Sequence, residues 1–311
     1  MRKLCEVEPK NVLVVGGLDP IGGAGVYADL KALAMVKAVP LIVATSVVFE
    51  NTKGIRGVHP LPPEIVRAQI KMALEDCEPK AIKIGLIHDQ DVVGVLAEEM
   101  PQGVPLVLDP IIKGWDGYEL TTIEGLKALK DCLIPRSMVV TPNAFEASAI
   151  SGVKVKDFES AKEAAKVIKD YGAKYVIIKG GHISSSRVFD VLYCDDQIIA
   201  VEKDREEGEY FHGLGCTFAS SLAGFIAHGW SIVDAFKASS LFASQAIRAS
   251  YKLRGKARVS NPIELYYKSL DVVRVFDMMY KAIAKIESIQ GLEELTPEVG
   301  MNLAMCLRNP T

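Results

Sequence analysis

The sequence has no Cys-x-x-Cys pair and no cysteine spacing of the zinc type. Its six cysteines, Cys5, Cys77, Cys132, Cys194, Cys216 and Cys306, are scattered over 311 residues, a usage that fits reduced thiols in a cytoplasmic protein rather than a disulfide framework. It also lacks any apolar run long enough to cross a bilayer; the stretch 41–49 has the length of a buried strand. The first residues carry charges and no signal-peptide core. There is no basic block, and 36 Lys and Arg against 39 Asp and Glu leave a net charge of −3, so neither nucleic acid nor an anionic membrane is an expected partner. Internal repeats and low-complexity tracts are absent, which excludes a solenoid.

What the chain does have is a regular alternation. Short β-branched runs at 12–16, 41–49, 81–87, 105–109, 138–141 and 175–179 alternate with amphipathic stretches at 25–36, 63–76, 90–99, 122–130, 143–151 and 158–171. Strand then helix, repeated this often, predicts an α/β fold: a mostly parallel central sheet covered by helices on both faces. After Gly181 the pattern changes. Residues 187–203 read as an antiparallel hairpin turning at Asp195-Asp196, and 216–228, 231–250 and 262–287 read as helices. The break from Gly255 to Pro262 divides the chain into an expected domain over 1–255 and a helical extension over 256–311.

Two glycine-rich turns punctuate this pattern. The first, Gly16-Gly17-Leu18-Asp19-Pro20-Ile21-Gly22-Gly23-Ala24-Gly25, leads into a helix but has no Walker lysine and no clean dinucleotide fingerprint. Asp29, one turn into that helix, either complements the helix dipole or points its carboxylate back at a cleft. The second, His212-Gly213-Leu214-Gly215-Cys216-Thr217, opens into a helix rich in small residues. Its glycines allow close ligand approach and its first amides form an anion site, with Cys216 at the mouth. Several strands end in polar or glycine-containing turns, and in an open α/β sheet these carboxyl ends form one rim where ligands bind.

Taken in order, the turns resemble the hydroxymethylpyrimidine and phosphomethylpyrimidine kinases of thiamine biosynthesis, within the ribokinase-like fold. The carrying pieces are Asp19-Pro20-Ile21-Gly22-Gly23-Ala24-Gly25 with Ala28-Asp29-Leu30-Lys31, then Asn51-Thr52-Lys53-Gly54, Lys83-Ile84-Gly85 and Leu108-Asp109-Pro110. Thr141-Pro142-Asn143-Ala144-Phe145-Glu146, Lys179-Gly180-Gly181-His182 and the 212–217 turn complete the set. The resemblance implies a three-layer sandwich, ATP and Mg²⁺ as cofactors, and a small pyrimidine as substrate. It also implies assembly as a homodimer.

The resemblance further implies residue roles. Gly213, Gly215 and Cys216 would carry catalysis, Cys216 contacting the substrate hydroxymethyl group and accepting its proton if the helix start and nearby cations lower its pKa. Gly17, Asp29, Glu50, Leu86 and Ile111 would line the substrate pocket. Lys179, Asn143 and Asp109 would serve ATP, and Glu146 with Asn143 would organise Mg²⁺ and its waters; read from spacing alone, that last pair is equally a helix cap and a first-turn acid. The chain departs from the pattern at Glu50, where the family usually has glutamine, at Leu214 and Ile21, where it has hydroxyl residues, and over 112–117, where its Ser-Gly loop is missing. A pyridoxal-type vitamin kinase and a ligand-binding protein of impaired turnover are the alternatives on the same fold. Finally, residues 291–304 resemble the opening of the thiamine-phosphate synthase domain fused to this kinase in some archaea.

Overall fold

Four apolar residues in a row, Val12, Leu13, Val14 and Val15, are wholly inaccessible, as expected of a strand in the middle of a sheet covered on both faces. They belong to β1 (Lys10–Leu18) in a computed structural model whose described residues are 10–180, 187–206, 208 and 210–288. The chain forms two units, residues 1–262 and 263–311.

The first unit is built on a nine-stranded sheet with the order β3-β2-β1-β4-β5-β6-β7-β8-β9. Its strands are β1, β2 (Ala38–Asn51), β3 (Gly54–Pro60), β4 (Ala81–Ile84), β5 (Leu106–Leu108), β6 (Val139–Val140), β7 (Tyr175–Ile178), β8 (Arg187–Cys194) and β9 (Gln197–Asp204). The six strands from β2 to β7 along that order pair in parallel. At the two ends β3, β8 and β9 are antiparallel. The expected mostly parallel α/β sheet is therefore present. The hairpin at 187–203 is too: Asp195 and Asp196 both have positive φ, 47° and 60°, the handedness a two-residue hairpin turn needs.

Alternation in β1 and β4 assigns the layers. Leu13, Val15, Ile82 and Ile84 join the core with residues of α2 (Pro63–Asp76), α3 (Gln90–Glu99), α5 (Ala144–Ser151) and α6 (Phe158–Asp170). Lys83 points the other way, toward α1 (Gly25–Met35) and α7 (Leu214–Ala227), and α8 (Ile232–Arg248) packs on α7. The short α4 (Ile123–Ala128) lies against α3.

Two features lay outside the sequence expectation. Strand β3 is punctuated by Gly54, Gly57 and Pro60 and carries no β-branched run, so nothing in its pattern marks it as a strand. A second sheet, β10 (Phe211–His212), β12 (Arg258–Val259) and β11 (Tyr251–Lys252), has two-residue strands, too short for periodicity to register. Because β12 pairs with β10, residues 256–262 belong to the first unit, with Ala257 and Val259 fully buried. In the second unit, α9 (Glu264–Glu287) is the described element, with Phe276 and Tyr280 exposed. Among the described residues no helix is long and apolar enough to cross a membrane, and the four cysteines are unpaired. Gly181, His182 and the 291–304 segment lie outside the described residues.

Candidate active site

The two glycine turns, nearly two hundred residues apart, pack against each other. Gly213 caps α7 with φ +81°, and a Cβ there would stand 1.7 Å from the Gly23 carbonyl oxygen. Gly25 has φ +56°, and a Cβ there would stand 2.1 Å from the Gly17 carbonyl oxygen. No other residue fits either place, because both need a left-handed backbone and a bare Cα. The helix start at Leu214, two residues earlier than expected, leaves the amides of 214–216 unpaired within the helix and directed at one spot.

The rim of the sheet delivers charge to that spot. Lys179, just after β7, places its Nζ 2.6 Å from Asp109 Oδ1, just after β5, and Thr141 donates to the same oxygen at 3.2 Å. A Cβ on Gly215 would lie 3.2 Å from Lys179 Nζ and 3.6 Å from Asp109 Oδ2, so the helix start, the lysine and the aspartate share one pole. Burial works against the Lys179 charge, yet Asp109 and Glu146 raise its pKa above the ordinary lysine value.

Asn143 and Glu146 meet as a reciprocal cap at the start of α5. The Asn143 amide donates to Glu146 Oε2 at 2.7 Å, and the Glu146 amide donates to Asn143 Oδ1 at 2.9 Å. The helix-cap reading of this pair is thus a fact of the structure, and a metal role must be added to it rather than replace it. Glu146 is almost fully buried; burial pushes its carboxyl up to about 7, with Lys179 opposing and Asp109 adding to the rise.

Cys216 and Asp29 differ from expectation. Cys216 does stand in the first turn of α7, where the Gly25 amide donates toward its sulfur. Burial nevertheless pushes its thiol up to about 12, against the field of the Lys83 ammonium. The expected lowering is absent because only 5% of the residue is exposed, and desolvation of a thiolate outweighs a helix start and one cation. Asp29 does not present a carboxylate to a solvent-filled cleft. It is completely buried, accepts from Lys83 Nζ at 2.9 and 2.8 Å, and accepts from the Ser220 hydroxyl at 2.6 Å. Burial opposes the charge on Lys83, yet Asp29, Cys216 and Asp109 hold its pKa above the usual value. Lys83 was missed as a site residue, although a lysine inside Ala81-Ile82-Lys83-Ile84, in a strand buried on both faces, is itself a signal that a buried partner exists.

The third part of the site is a small apolar cluster. Val48, Ile55, Leu86 and Leu120 pack together with Ile111 against them. Gly17 forms the floor: a Cβ there would lie 3.0 Å from both Leu86 Cδ2 and Ser46 Oγ. Gly17 pairs with Ser46 in register, and Ser46, Val48 and Glu50 follow on one face of β2. Glu50 has a side chain only 6% exposed, 3.8 Å from His212 Nε2. That nitrogen is itself 2.8 Å from Asp19 Oδ2. The Asp19 carboxylate also accepts from the amides of Ile21, Gly23 and Ala24, which closes the first turn without the missing hydroxyl at Ile21. Burial opposes the Asp19 charge, but His212 and these amides lower its pKa below the ordinary value. Burial pushes Glu50 up to about 7; His212 opposes, and Asp19 and Asp116 add to the rise. The 113–119 loop borders the cluster: Asp116 accepts from the Ile55 amide at 2.7 Å, and the Trp115 ring lies edge-on to His212 at 6.5 Å.

The sequence-expected residues therefore gather at two adjoining places. Gly213, Gly215, Cys216, Lys179, Asp109, Asn143 and Glu146 form the anion pole, and Gly17, Glu50, Leu86 and Ile111 gather at the apolar cluster beside it. Asp29 lies beneath Cys216. His212, Asp19, Ser46 and Trp115 join them only through the fold.

The phosphomethylpyrimidine kinase family profile matches residues 19–261. The hydroxymethylpyrimidine/phosphomethylpyrimidine kinase of Bacillus subtilis is 34% identical over 240 residues, covering 76% of this chain and 89% of that protein. The protein of the same name from Mycobacterium tuberculosis is 32% identical over 257 residues, covering 81% and 94%. Among solved structures, the pyridoxal kinase of Staphylococcus aureus in complex with AMP-PCP and pyridoxal aligns with TM-score 0.74 at 30% identity, covering 82% of this chain and 93% of its own. The phosphomethylpyrimidine kinase of Clostridium difficile aligns with TM-score 0.66 at 32% identity, covering 76% and 99%. The chain belongs to the phosphomethylpyrimidine kinase family.

Proposed function

We propose that this member of the phosphomethylpyrimidine kinase family transfers the γ-phosphoryl group of ATP to the hydroxymethyl oxygen of 4-amino-5-hydroxymethyl-2-methylpyrimidine, a step of thiamine biosynthesis. The single observation that carries the reading is the anion pole at Gly213–Cys216, Lys179 and Asp109 standing beside the cluster of Gly17, Glu50 and Leu86. Phosphoryl transfer needs in-line positioning and compensation of spreading charge more than covalent help. The unpaired amides of 214–216 and the Lys179 ammonium supply that compensation on the transferred group. Cys216 meets the hydroxymethyl group. With its thiol pushed up by burial, Cys216 stays protonated and orients the hydroxyl by hydrogen bonding, and the hydroxyl proton leaves on an oxygen of the transferred phosphoryl group as the new O–P bond forms and the bond to the ADP oxygen breaks.

The residues also fit Mg²⁺. Asp109 and Glu146 offer hard oxygen donors beside the phosphate pole, and a buried acid pushed up to about 7 is one that a divalent cation would ionise. When bound, the ion neutralises phosphate charge next to Lys179. A homodimer and a cytoplasmic location are carried over from the family resemblance, and so is phosphorylation of the monophosphate.

The test is ATP consumption against a panel of pyrimidine and pyridine alcohols, with the mass of each product measured. Turnover of the aminopyrimidine alcohol is expected. The likeness to pyridoxal kinases favours a second reading, and preferential turnover of pyridoxal would replace the first with it. Ligand binding without ADP release would assign the chain a binding role.

A further inference from the structure

The Glu50 side chain is 6% exposed, and among the described residues none donates a hydrogen bond to its carboxyl. His212 Nε2 is 3.8 Å away and directed at Asp19 Oδ2 at 2.8 Å. An ionised Asp19 only accepts, so the hydrogen on that nitrogen is committed to it. Two more polar atoms near the apolar cluster have no partner: Ser46 Oγ, packed over Gly17, and Trp115 Nε1, on the ring that touches His212. Buried polar groups are normally satisfied, and such a group beside apolar side chains marks where a ligand's polar edge belongs.

We propose that Glu50 makes this pocket a reader of an amidine-type edge, an amino group beside a ring nitrogen, and binds it with one proton shared between carboxyl and ring. The proposal rests on the pyrimidine kinase reading and names the protonation state in which that substrate is held. A neutral amidine edge shows one donor and one acceptor. Against it a carboxylate sets acceptor against acceptor at the ring nitrogen. One added proton removes the clash wherever it sits. On Glu50 it makes an acid whose O–H donates to the ring nitrogen. On the ring it makes two parallel N–H donors facing two carboxylate oxygens, the fork geometry of the strongest charge-assisted pairs. A glutamine at this position matches the neutral edge without a proton, and by flipping its amide it matches a 4-oxo edge as well. A protonated carboxyl does the same, so what sets Glu50 apart is the proton it takes up.

The groups facing Glu50 are His212 on β10, Asp19 in the turn after β1, and Asp116 on the 113–119 loop. All three remain in Glu50→Gln, so that variant separates their titration from that of Glu50. Free Glu50, pushed up to about 7 by burial, is a carboxylate at pH 8. Binding there must take up a proton, and affinity should fall about tenfold per pH unit above neutrality.

Isothermal titration with 4-amino-5-hydroxymethyl-2-methylpyrimidine at pH 8, in two buffers of different ionisation enthalpy, counts that proton. We expect close to one proton taken up by the wild-type protein and close to none by Glu50→Gln. Binding without proton uptake by the wild-type protein overturns the proposal and leaves the kinase reading standing. No binding at any pH from 6 to 9 overturns both. If Glu50→Gln does not fold, the wild-type proton count alone decides.

Discussion

Removing the charge of Lys83 is the sharpest test of how the floor of the site is held. Lys83 is 1% exposed and Asp29 is not exposed at all, so the pair is shielded from bulk water and salt. Lys83→Met keeps the length of the side chain and removes both contacts to Asp29, at 2.9 and 2.8 Å, leaving the carboxylate only the Ser220 hydroxyl at 2.6 Å. Orphaning one member of a buried pair costs about 3–5 kcal/mol. At roughly 2–4 °C per kcal/mol for a domain of this size, Tm should fall by about 6–20 °C. The pH dependence carries the sign of the argument. Burial already raises the Asp29 pKa in the wild-type fold against the pull of Lys83, and removing that cation raises it further above the unfolded value of about 3.9, so the folded variant binds the extra proton over a wider pH range. Its stability is then highest below that value and is lost as pH rises through the raised folded pKa. The deficit relative to wild type should therefore be smaller at pH 4.5 than at pH 8. Replacing both partners, Lys83→Met with Asp29→Asn, should recover most of the loss. Thermal or urea unfolding at the two pH values measures all of this. A deficit equal at both, or none, would refute an ionised pair beneath Cys216.

Two further outcomes follow from the anion pole. Cys216→Ala should lower kcat by about two to four orders of magnitude if a thiolate at this position takes the hydroxymethyl proton, and by less if the protonated thiol only orients the hydroxyl. ATP affinity should change little, since the Gly213–Gly215 backbone is untouched; near wild-type turnover would leave Cys216 a packing residue. Lys179→Ala should weaken ATP binding, whereas Glu146→Gln should raise the Mg²⁺ concentration needed for half-maximal rate. A Mg²⁺ titration at fixed ATP separates the two, and unchanged metal dependence in Glu146→Gln would reduce Glu146 to its part in the helix cap.

The elements that place the chemistry were legible in the sequence because each obeys a local rule. Alternation marked the parallel strands, and glycines before a small-residue helix marked the turn at 213–215, where a left-handed backbone is a property of the residues themselves. Strand ends on one rim follow from a parallel sheet, whose strands all end on the same edge, and so Asp109, Thr141 and Lys179 meet at one pole. Strand β3 and the sheet of β10 to β12 escaped, since Gly54, Gly57 and Pro60 hide the first and two-residue strands carry no period.

What only the tertiary structure decided is the electrostatics. Sequence could place Cys216 at a helix start, which favours a thiolate, but could not show that burial there drives the thiol up to about 12. It could place Asp29 in a first turn, but not the lysine 54 residues away that claims both its oxygens. It could see a carboxyl at position 50, but not that Glu50 has no donor among the described residues and stands beside a histidine already committed to Asp19. Backbone geometry is set by a residue and its neighbours in the chain. Desolvation and charge pairing are set by whatever the fold brings alongside, and at this site those partners arrive from strands, turns and helices far apart in sequence.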